Sequence, residues 1–196
     1  MLFVTKTQKS VYIALLAAQA TVIAMLERLI PNLFAFAPGA KLGLSNMITL
    51  VAIFTLSTKD IFKVVTMRLF LSTLLGGTLS TFMYSFAGSY LSFLGMVIVR
   101  KLGPKRVSFI GISAAGGILF KVGQLLVASL IARTFSVMLY LPVLSFAGII
   151  AGVFVWLSGN FMIENIASIH KIQSEEAKTN KLSKKWYEYN LKAGNR

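Results

Sequence analysis

The sequence consists mainly of long apolar runs, with its few charges at their edges. A helix needs about 20 mostly apolar residues to cross a bilayer, and the chain contains roughly six such stretches. Charged residues make up 13% of the chain, about half of their share in an ordinary soluble domain. This pattern excludes intrinsic disorder, which requires low hydrophobicity. It indicates an integral membrane protein.

The apolar runs predict helices, because the strands of a membrane barrel alternate in hydrophobicity over segments of about ten residues. These runs are apolar on every face. We therefore predict an all-α, multi-pass membrane protein with residues 1–163 as its transmembrane domain. The six spans are predicted at about Ser10–Ile30, Leu42–Ser57, Ile61–Leu75, Thr78–Val99, Val107–Ala132 and Met138–Ile163.

The distribution of basic residues predicts the orientation of these spans. With the N-terminus inside, 15 of the 20 Lys and Arg residues fall on one side. Positive residues concentrate in cytoplasmic loops, so we expect both termini in the cytoplasm of a bacterium and the helices in its plasma membrane. The net charge of +14 then faces anionic membrane lipids, and no nucleic-acid partner is expected.

Residues 164–196 form a polar, basic segment that differs from the rest of the chain. We predict a helical cytoplasmic tail, with Trp186, Tyr187 and Tyr189 as anchors at the membrane interface. Two interpretations remain open. The tail either only fixes the orientation of the protein or also docks a partner.

The segment from Pro38 to Asn46, with the sequence Pro-Gly-Ala-Lys-Leu-Gly-Leu-Ser-Asn, leads into the short second span. Free N–H groups, a helix dipole and the ammonium of Lys41 would together favour an anion at this entrance. The alternative is a turn in which Ser45 or Asn46 caps the helix and Lys41 lies in water. The spacing favours neither interpretation.

Two cations lie within predicted spans, where a charge costs roughly 2.5–3.5 kcal/mol on insertion scales. Lys121 is near the middle of the fifth span, and Gln124 shares its helical face three residues on. Both cations are expected to face the bundle interior or water, and because Arg68 is about two turns from the inner end of the third span, snorkelling inwards is an alternative for it. Glu27 and Arg28 end the first span, where an interfacial structural role is the default expectation.

Glu27 is the only acidic residue predicted in the half of the membrane domain that is nearer the outside. Few carboxylates are therefore available to pair with a buried Lys121. A pocket that contains Lys41, Lys121 and Arg133 would favour an anionic or polar ligand. The candidate substrate-binding residues are Lys41, Asn46, Lys121, Gln124, Arg133 and Asn160.

The chain lacks the residues that common catalytic and metal sites require. Asp60 is the only aspartate and His170 the only histidine, and the chain contains no cysteine. Paired-aspartate magnesium sites, histidine-based metal sites or triads and a phosphate-binding Gly-Lys-Ser/Thr loop are therefore excluded. We expect no cofactor, no metal and no catalytic activity of the chain by itself.

Small residues recur at helical spacing within several spans. Ala14/Ala18 and Ala20/Ala24 are small-xxx-small pairs in the first span, and such pairs let another helix approach closely. Gly148/Gly152 is a similar pair in the sixth span, for which packing inside the bundle is the simpler expectation. The first span begins the chain, so its Ala14/Ala18 face is the best candidate for docking a partner helix.

The segment Pro38-xx-Lys41-Leu42-Gly43-Leu44-Ser45-Asn46 resembles the signature of bacterial membrane proteins described as heptaprenyl diphosphate synthase component I, also called the Gx transporter family. The similarity runs from about Lys9 to Asn165. That family in turn is similar to the substrate-binding S components of energy-coupling factor (ECF) transporters. Those proteins have about this size, six helices and both termini inside.

The resemblance implies a substrate-binding membrane subunit that imports a small molecule. Its Ala14/Ala18 face would dock on a transmembrane coupling subunit, partner ATPases would supply the energy, and the ligand would bind near the outer face. The alternative is a non-catalytic membrane accessory protein of isoprenoid or quinone metabolism. Prenyl synthases use aspartate-rich motifs that bind magnesium, and the single aspartate of this chain does not fit that activity.

Overall fold

The computed structural model describes residues 6–29, 41–165, 174, 177–178 and 181–194, and within these ranges it contains helices and no strand. This confirms the predicted all-α class. A 3-10 turn at Phe135–Tyr140 separates the fifth and sixth helices. The helices are α1 (Lys6–Glu27), α2 (Asn46–Thr55), α3 (Thr58–Leu74), α4 (Leu79–Lys101), α5 (Phe109–Ala132), α6 (Leu141–Asn165) and α7 (Lys181–Gly194).

Four helical stretches among the described residues are long and apolar enough to cross a membrane. They coincide with the predicted first, fourth, fifth and sixth spans. Large apolar side chains on them are exposed, including Leu130 at 71%, Val143 at 71% and Phe146 at 67%. Soluble proteins rarely expose such surfaces continuously, whereas lipid covers them in a multi-pass membrane protein. The four stretches are Thr7–Glu27, Leu79–Lys101, Phe109–Ala132 and Phe135–Ser158.

The second predicted span is a shorter helix than expected. Helix α2 begins at Asn46 instead of Leu42, and its 10 residues rise about 15 Å, half of a hydrocarbon core of about 30 Å. The predicted start is wrong because Gly43 has φ +94°, a left-handed conformation that interrupts a right-handed helix. Hydropathy alone does not reveal such a break. Helix α3, at the third predicted span, has 17 residues, close to the lower limit for a crossing.

Helix α2 lies inside the bundle. Nine of its 10 residues are buried, and it packs against α1, α3, α4, α5 and α6. Its N-terminal end carries polar residues from the second predicted span into the protein interior. The position of α2 therefore determines which side chains meet at the candidate site.

Helices α5 and α6 pack so closely that their backbones touch at glycines. A Cβ atom added at Gly117 of α5 would lie 2.0 Å from the carbonyl oxygen of Gly148 on α6, and one at Gly152 would lie 2.8 Å from the Cα of Ala114. The hydroxyl of Ser113 also donates to the carbonyl oxygen of Gly152 at 2.7 Å. The Gly148/Gly152 pair thus serves packing inside the bundle, which confirms the simpler expectation.

Asp60, in the first turn of α3, joins the beginnings of α1 and α3. Its carboxylate lies 2.6 Å from the Nζ of Lys9 and 3.1 Å from the Nζ of Lys63. Burial alone would raise the pKa of Asp60, but hydrogen bonds from Lys9, Ser57 and Lys63 outweigh it and lower the pKa to about 2. The pairing therefore stabilises the fold above the ordinary aspartate pKa of about 3.9 and is lost as the pH falls towards 2.

Trp186 of α7 packs on the same end of the bundle as Asp60. It is 1% exposed, and its ring centroid lies 5.4 Å from that of Phe54 and 5.1 Å from that of Phe109. The prediction of Trp186 as an anchor in the membrane interface is wrong, because these two rings at the ends of α2 and α5 form an apolar socket for it.

Candidate functional site

Glu27, the last residue of α1, binds the segment that leads into α2. Its side chain is buried, and its Oε1 accepts hydrogen bonds from the backbone N–H groups of Gly43 and Leu44. Gly43 is required here for two reasons. Its φ of +94° strains any other residue, and a Cβ atom would lie 2.9 Å from the ring of Phe120. The chain's own carboxylate thus accepts from the free N–H groups at this helix entrance.

Lys121 of α5 is fully buried, with 0% exposure. Its Nζ donates to the backbone carbonyl of Lys41 at 2.7 Å and to Oε1 of Gln124 at 3.4 Å. The bond to Gln124 confirms that the two side chains share a helical face. The bond to Lys41 brings α5 against the segment before α2, 80 residues earlier in the chain.

Arg68 of α3 points into the bundle. It is 3% exposed, and its guanidinium donates to the hydroxyls of Ser45 and Ser89. This confirms the expectation that Arg68 faces the bundle interior; the alternative, that it snorkels towards the inner surface, is wrong, because these two hydroxyls supply acceptors in the interior. Ser45 therefore does not cap α2 with its side chain, and no side-chain cap bond is found at that residue.

These residues form a polar cluster, which we define as Glu27, Lys41, Asn46, Arg68, Lys121 and Gln124. Glu27 attracts the charges of Lys41, Arg68 and Lys121. One carboxylate thus acts electrostatically on three cations, and the cluster carries excess positive charge in a poorly hydrated environment. A buried charge without compensation is costly, so such a cluster favours an additional anion.

Lys41 is the member of the cluster that lies in the loop before α2. Burial, together with the nearby guanidinium of Arg28, lowers the pKa of Lys41 to about 8 despite the opposing effect of Glu27. The ammonium of Lys41 is therefore less favourable than in water. An anion beside it would raise this pKa towards its ordinary value.

Several buried polar atoms of the cluster lack a hydrogen-bond partner within the described residues. Buried polar groups are nearly always paired, so these atoms are available for water or a ligand. A cavity of about 10 Å³ lies beside Asn46, between Gly43 and Gly152, which is room for one water at most. The unpaired atoms are Oε2 of Glu27, Oδ1 of Asn46, Nε of Arg68 and Nε2 of Gln124.

The family model described as heptaprenyl diphosphate synthase component I matches residues 16–162. The chain belongs to this family. No match was found among curated proteins or among solved structures.

The match to heptaprenyl diphosphate synthase component I confirms the resemblance inferred from the segment that ends at Asn46. It covers nearly the same part of the chain as the similarity expected from Lys9 to Asn165. The matched residues 16–162 include every member of the polar cluster. The family description names a synthase component.

Four of the six residues predicted to bind substrate belong to the polar cluster: Lys41, Asn46, Lys121 and Gln124. Arg133 does not. It ends α5 with an exposed side chain and φ 51°, and it lies 12 residues beyond Lys121, thus about 18 Å further along the helix. Asn160 lies on α6, and its side chain is outside the described residues, as are Pro38, Gly39 and Ala40 of the loop.

The sequence predicts an interfacial structural role for Glu27 and does not predict that Arg68 belongs to the binding site, and the structure places both in the cluster. The scarcity of acidic residues in the sequence was the signal that could have placed Glu27 in the cluster. Glu27 is the first acidic residue of the chain, and the next one is Asp60. The buried cations therefore had few acidic residues to pair with, and Glu27 was the one predicted on their side.

The two alanine pairs of α1 lie on different faces. Ala14 and Ala18 are exposed, whereas Ala20 and Ala24 are 1% and 4% exposed and pack inside the bundle. Large apolar side chains elsewhere on α1 are also exposed, as Leu15 is at 55%. The predicted docking pair is therefore accessible to another helix, and the second pair is not.

Proposed function

We propose that the chain is the substrate-binding membrane component of an importer of the ECF type, and that its substrate is a small anionic or polar molecule. The observation that carries this proposal is the polar cluster, in which one carboxylate, Glu27, acts on the buried Arg68 and Lys121 and the half-buried Lys41. Unpaired atoms of Asn46 and Gln124 add a hydrogen-bond acceptor and a donor. Electrostatics and hydrogen bonding together would hold an anion in a defined orientation.

A ligand bound in the polar cluster would meet the segment Lys41–Leu44. This segment is held to the cluster by side chains, through Glu27 to its N–H groups and Lys121 to its carbonyl. An anion bound to Lys121 would replace the Lys41 carbonyl as acceptor. The ammonium of Lys121 would thus bind the Lys41 carbonyl when no ligand is present and the anion when one is bound.

The importer proposal includes six crossings, with α2 and α3 as the short second and third, and both termini in the cytoplasm. The positive-inside pattern supports this orientation. Asp60, Lys9 and Trp186 would then mark the cytoplasmic end, and Glu27 would lie towards the outside of a bacterial plasma membrane. A substrate that arrives from outside would reach the polar cluster before it reaches the cytoplasmic end of the bundle.

Lys121→Met tests the proposed ligand site. The variant should fold, because methionine is close to lysine in volume and because Lys41 and Arg68 remain near Glu27. We expect small phosphate and carboxylate compounds that raise the Tm of the wild type to bind Lys121→Met at least about tenfold more weakly, since a charge-assisted bond is lost. Thermal-shift titration of the purified protein measures this.

Lys59→Met is the matched control, because Lys59 is exposed in the first turn of α3. It should keep the wild-type affinity. Equal binding of the same anions by wild type and Lys121→Met would refute the proposed site.

Ala14→Trp and Ala18→Trp test the proposed docking on a coupling subunit. A tryptophan at either exposed alanine prevents close approach of another helix, so we expect the recovery of the coupling subunit and ATPases to fall at least about tenfold. The measurement is affinity purification from membranes with quantitative mass spectrometry. Val143→Trp, at a 71% exposed position of α6, is the control and should leave recovery unchanged.

The family description supports a second function, a non-catalytic accessory protein of isoprenoid or quinone metabolism. The same purification separates the two. Recovery of a prenyl diphosphate synthase without a coupling subunit or ATPases would favour the accessory role and contradict the importer.

A further inference from the structure

Helix α7 is fixed against the bundle end that carries Asp60. Nε1 of Trp186 donates to the carbonyl of Arg100 at 3.2 Å, and the guanidinium of Arg100 donates to the hydroxyl of Ser183 at 2.9 Å. Ser183 and Trp186 are three residues apart and so share one face of α7. The other faces of α7 are therefore free to line a binding site.

A cleft of about 530 Å³ lies between α7 and the loop that joins α4 to α5. The volume is typical of a small-molecule site. Its walls include Pro104, Lys105 and Arg106 from the loop, and Lys185, Glu188 and Tyr189 from α7.

The cleft is positively charged. Three cations, Lys105, Arg106 and Lys185, line it together with one carboxylate, Glu188. Oε1 of Glu188 lies 3.9 Å from Nζ of Lys184. Lys184 is not among the residues that line the cleft. Within the part of the chain that the structure describes, no carboxylate forms an ion pair with the three cations.

The cleft also has an apolar part, which lies beside the C-terminal end of α4. Leu102 follows the last residue of α4 and is 53% exposed, and Tyr189 is 41% exposed. A cationic recess beside exposed apolar side chains at the end of lipid-facing helices matches an anionic head group attached to an acyl chain. A soluble anion would use only the cationic part.

We propose that this cleft binds the phosphate group of an amphiphile at the membrane surface, through Lys105, Arg106 and Lys185. Arg106 offers a planar, two-pronged donor to phosphate oxygens, and the lysines act as point charges. Leu102 and Tyr189 contact the first part of the apolar chain. The site is at the end of the bundle away from Glu27, so it stands independently of the proposed importer function.

The test is a titration of the full-length purified protein with dioleoyl phosphatidylglycerol, followed by native mass spectrometry. Wild type should bind this lipid in preference to dioleoyl phosphatidylcholine, whose head group carries no net charge. Lys105→Gln/Lys185→Gln should weaken binding about 25-fold, from roughly fivefold for each charge near an anionic surface. Lys105→Arg should retain the wild-type affinity.

The control Lys59→Gln/Lys101→Gln removes two exposed charges at the same end of the bundle without changing the cleft lining. It should bind as wild type does. Absence of a preference for the anionic lipid, or equal weakening in the control, would overturn the proposal. Unchanged Tm values show that the cleft variant is folded.

A second arm uses glycerol 3-phosphate as competitor to distinguish the two sources of phosphate. Failure to displace the lipid would identify the membrane as the source and support a combined polar and apolar site. Displacement that depends on Lys105 and Lys185 would support phosphate binding with a soluble source. Displacement that is equal in wild type and the double variant would contradict the assignment of these lysines.

Discussion

Glu27→Ala is expected to lower the free energy of unfolding by about 3–5 kcal/mol, the usual cost of removing one partner from a buried charge cluster. Glu27 is the carboxylate that attracts the charges of Lys41, Arg68 and Lys121. The variant would also leave the N–H groups of Gly43 and Leu44 without their acceptor. Reversible unfolding of the detergent-solubilised protein provides the measurement.

Glu27→Gln separates charge from hydrogen bonding in this prediction. The amide oxygen can still accept from Gly43, so the loss should be smaller than for alanine by about 1 kcal/mol or more. Glu188→Gln is the control, because the Glu188 side chain is 57% exposed, and it should change stability by less than about 0.5 kcal/mol. If Glu27→Ala were as stable as this control, the cluster would not depend on its carboxylate.

Gly117→Ala is expected to destabilise the bundle by about 3 kcal/mol, at the upper end of the usual cost of overpacking. The added Cβ atom would lie 2.0 Å from the carbonyl oxygen of Gly148. Both groups belong to helix backbones, so α5 and α6 would have to move apart. The decrease in Tm reports the effect, and the release of α6 should also increase its cleavage by protease.

Gly111→Ala is the matched control on α5. Its Cβ atom would lie 2.9 Å from a side-chain carbon of Val107, which can rotate away. Alanine also favours helix over glycine by up to about 1 kcal/mol, so this variant should be neutral or more stable. Equal losses for Gly111→Ala and Gly117→Ala would contradict the assigned role of the α5–α6 contact.

The features that the sequence predicts well are local ones. Long apolar runs indicate α1, α4, α5 and α6, because span length and composition depend only on neighbouring residues. The shared face of Lys121 and Gln124 follows from a spacing of three residues on a helix. Packing at Gly148 and Gly152 follows from the same kind of pattern.

The features that the sequence predicts poorly depend on contacts between distant segments. Arg68 bonds to Ser45 and Ser89, which are 23 and 21 residues away, and no periodicity relates these positions. Trp186 bonds to Arg100 across 86 residues. The start of α2 depends on the positive φ of Gly43, which in turn depends on the space left beside Phe120.

The buried position of α2 has a consequence for how the protein enters the membrane. A helix of 10 residues is too short to be retained in a bilayer by its own hydrophobic length, and almost all of its surface is covered by protein. Its neighbours therefore have to be in place before α2 reaches its final depth. Biogenesis is then a cooperative process, in which the most central helix is among the last to settle.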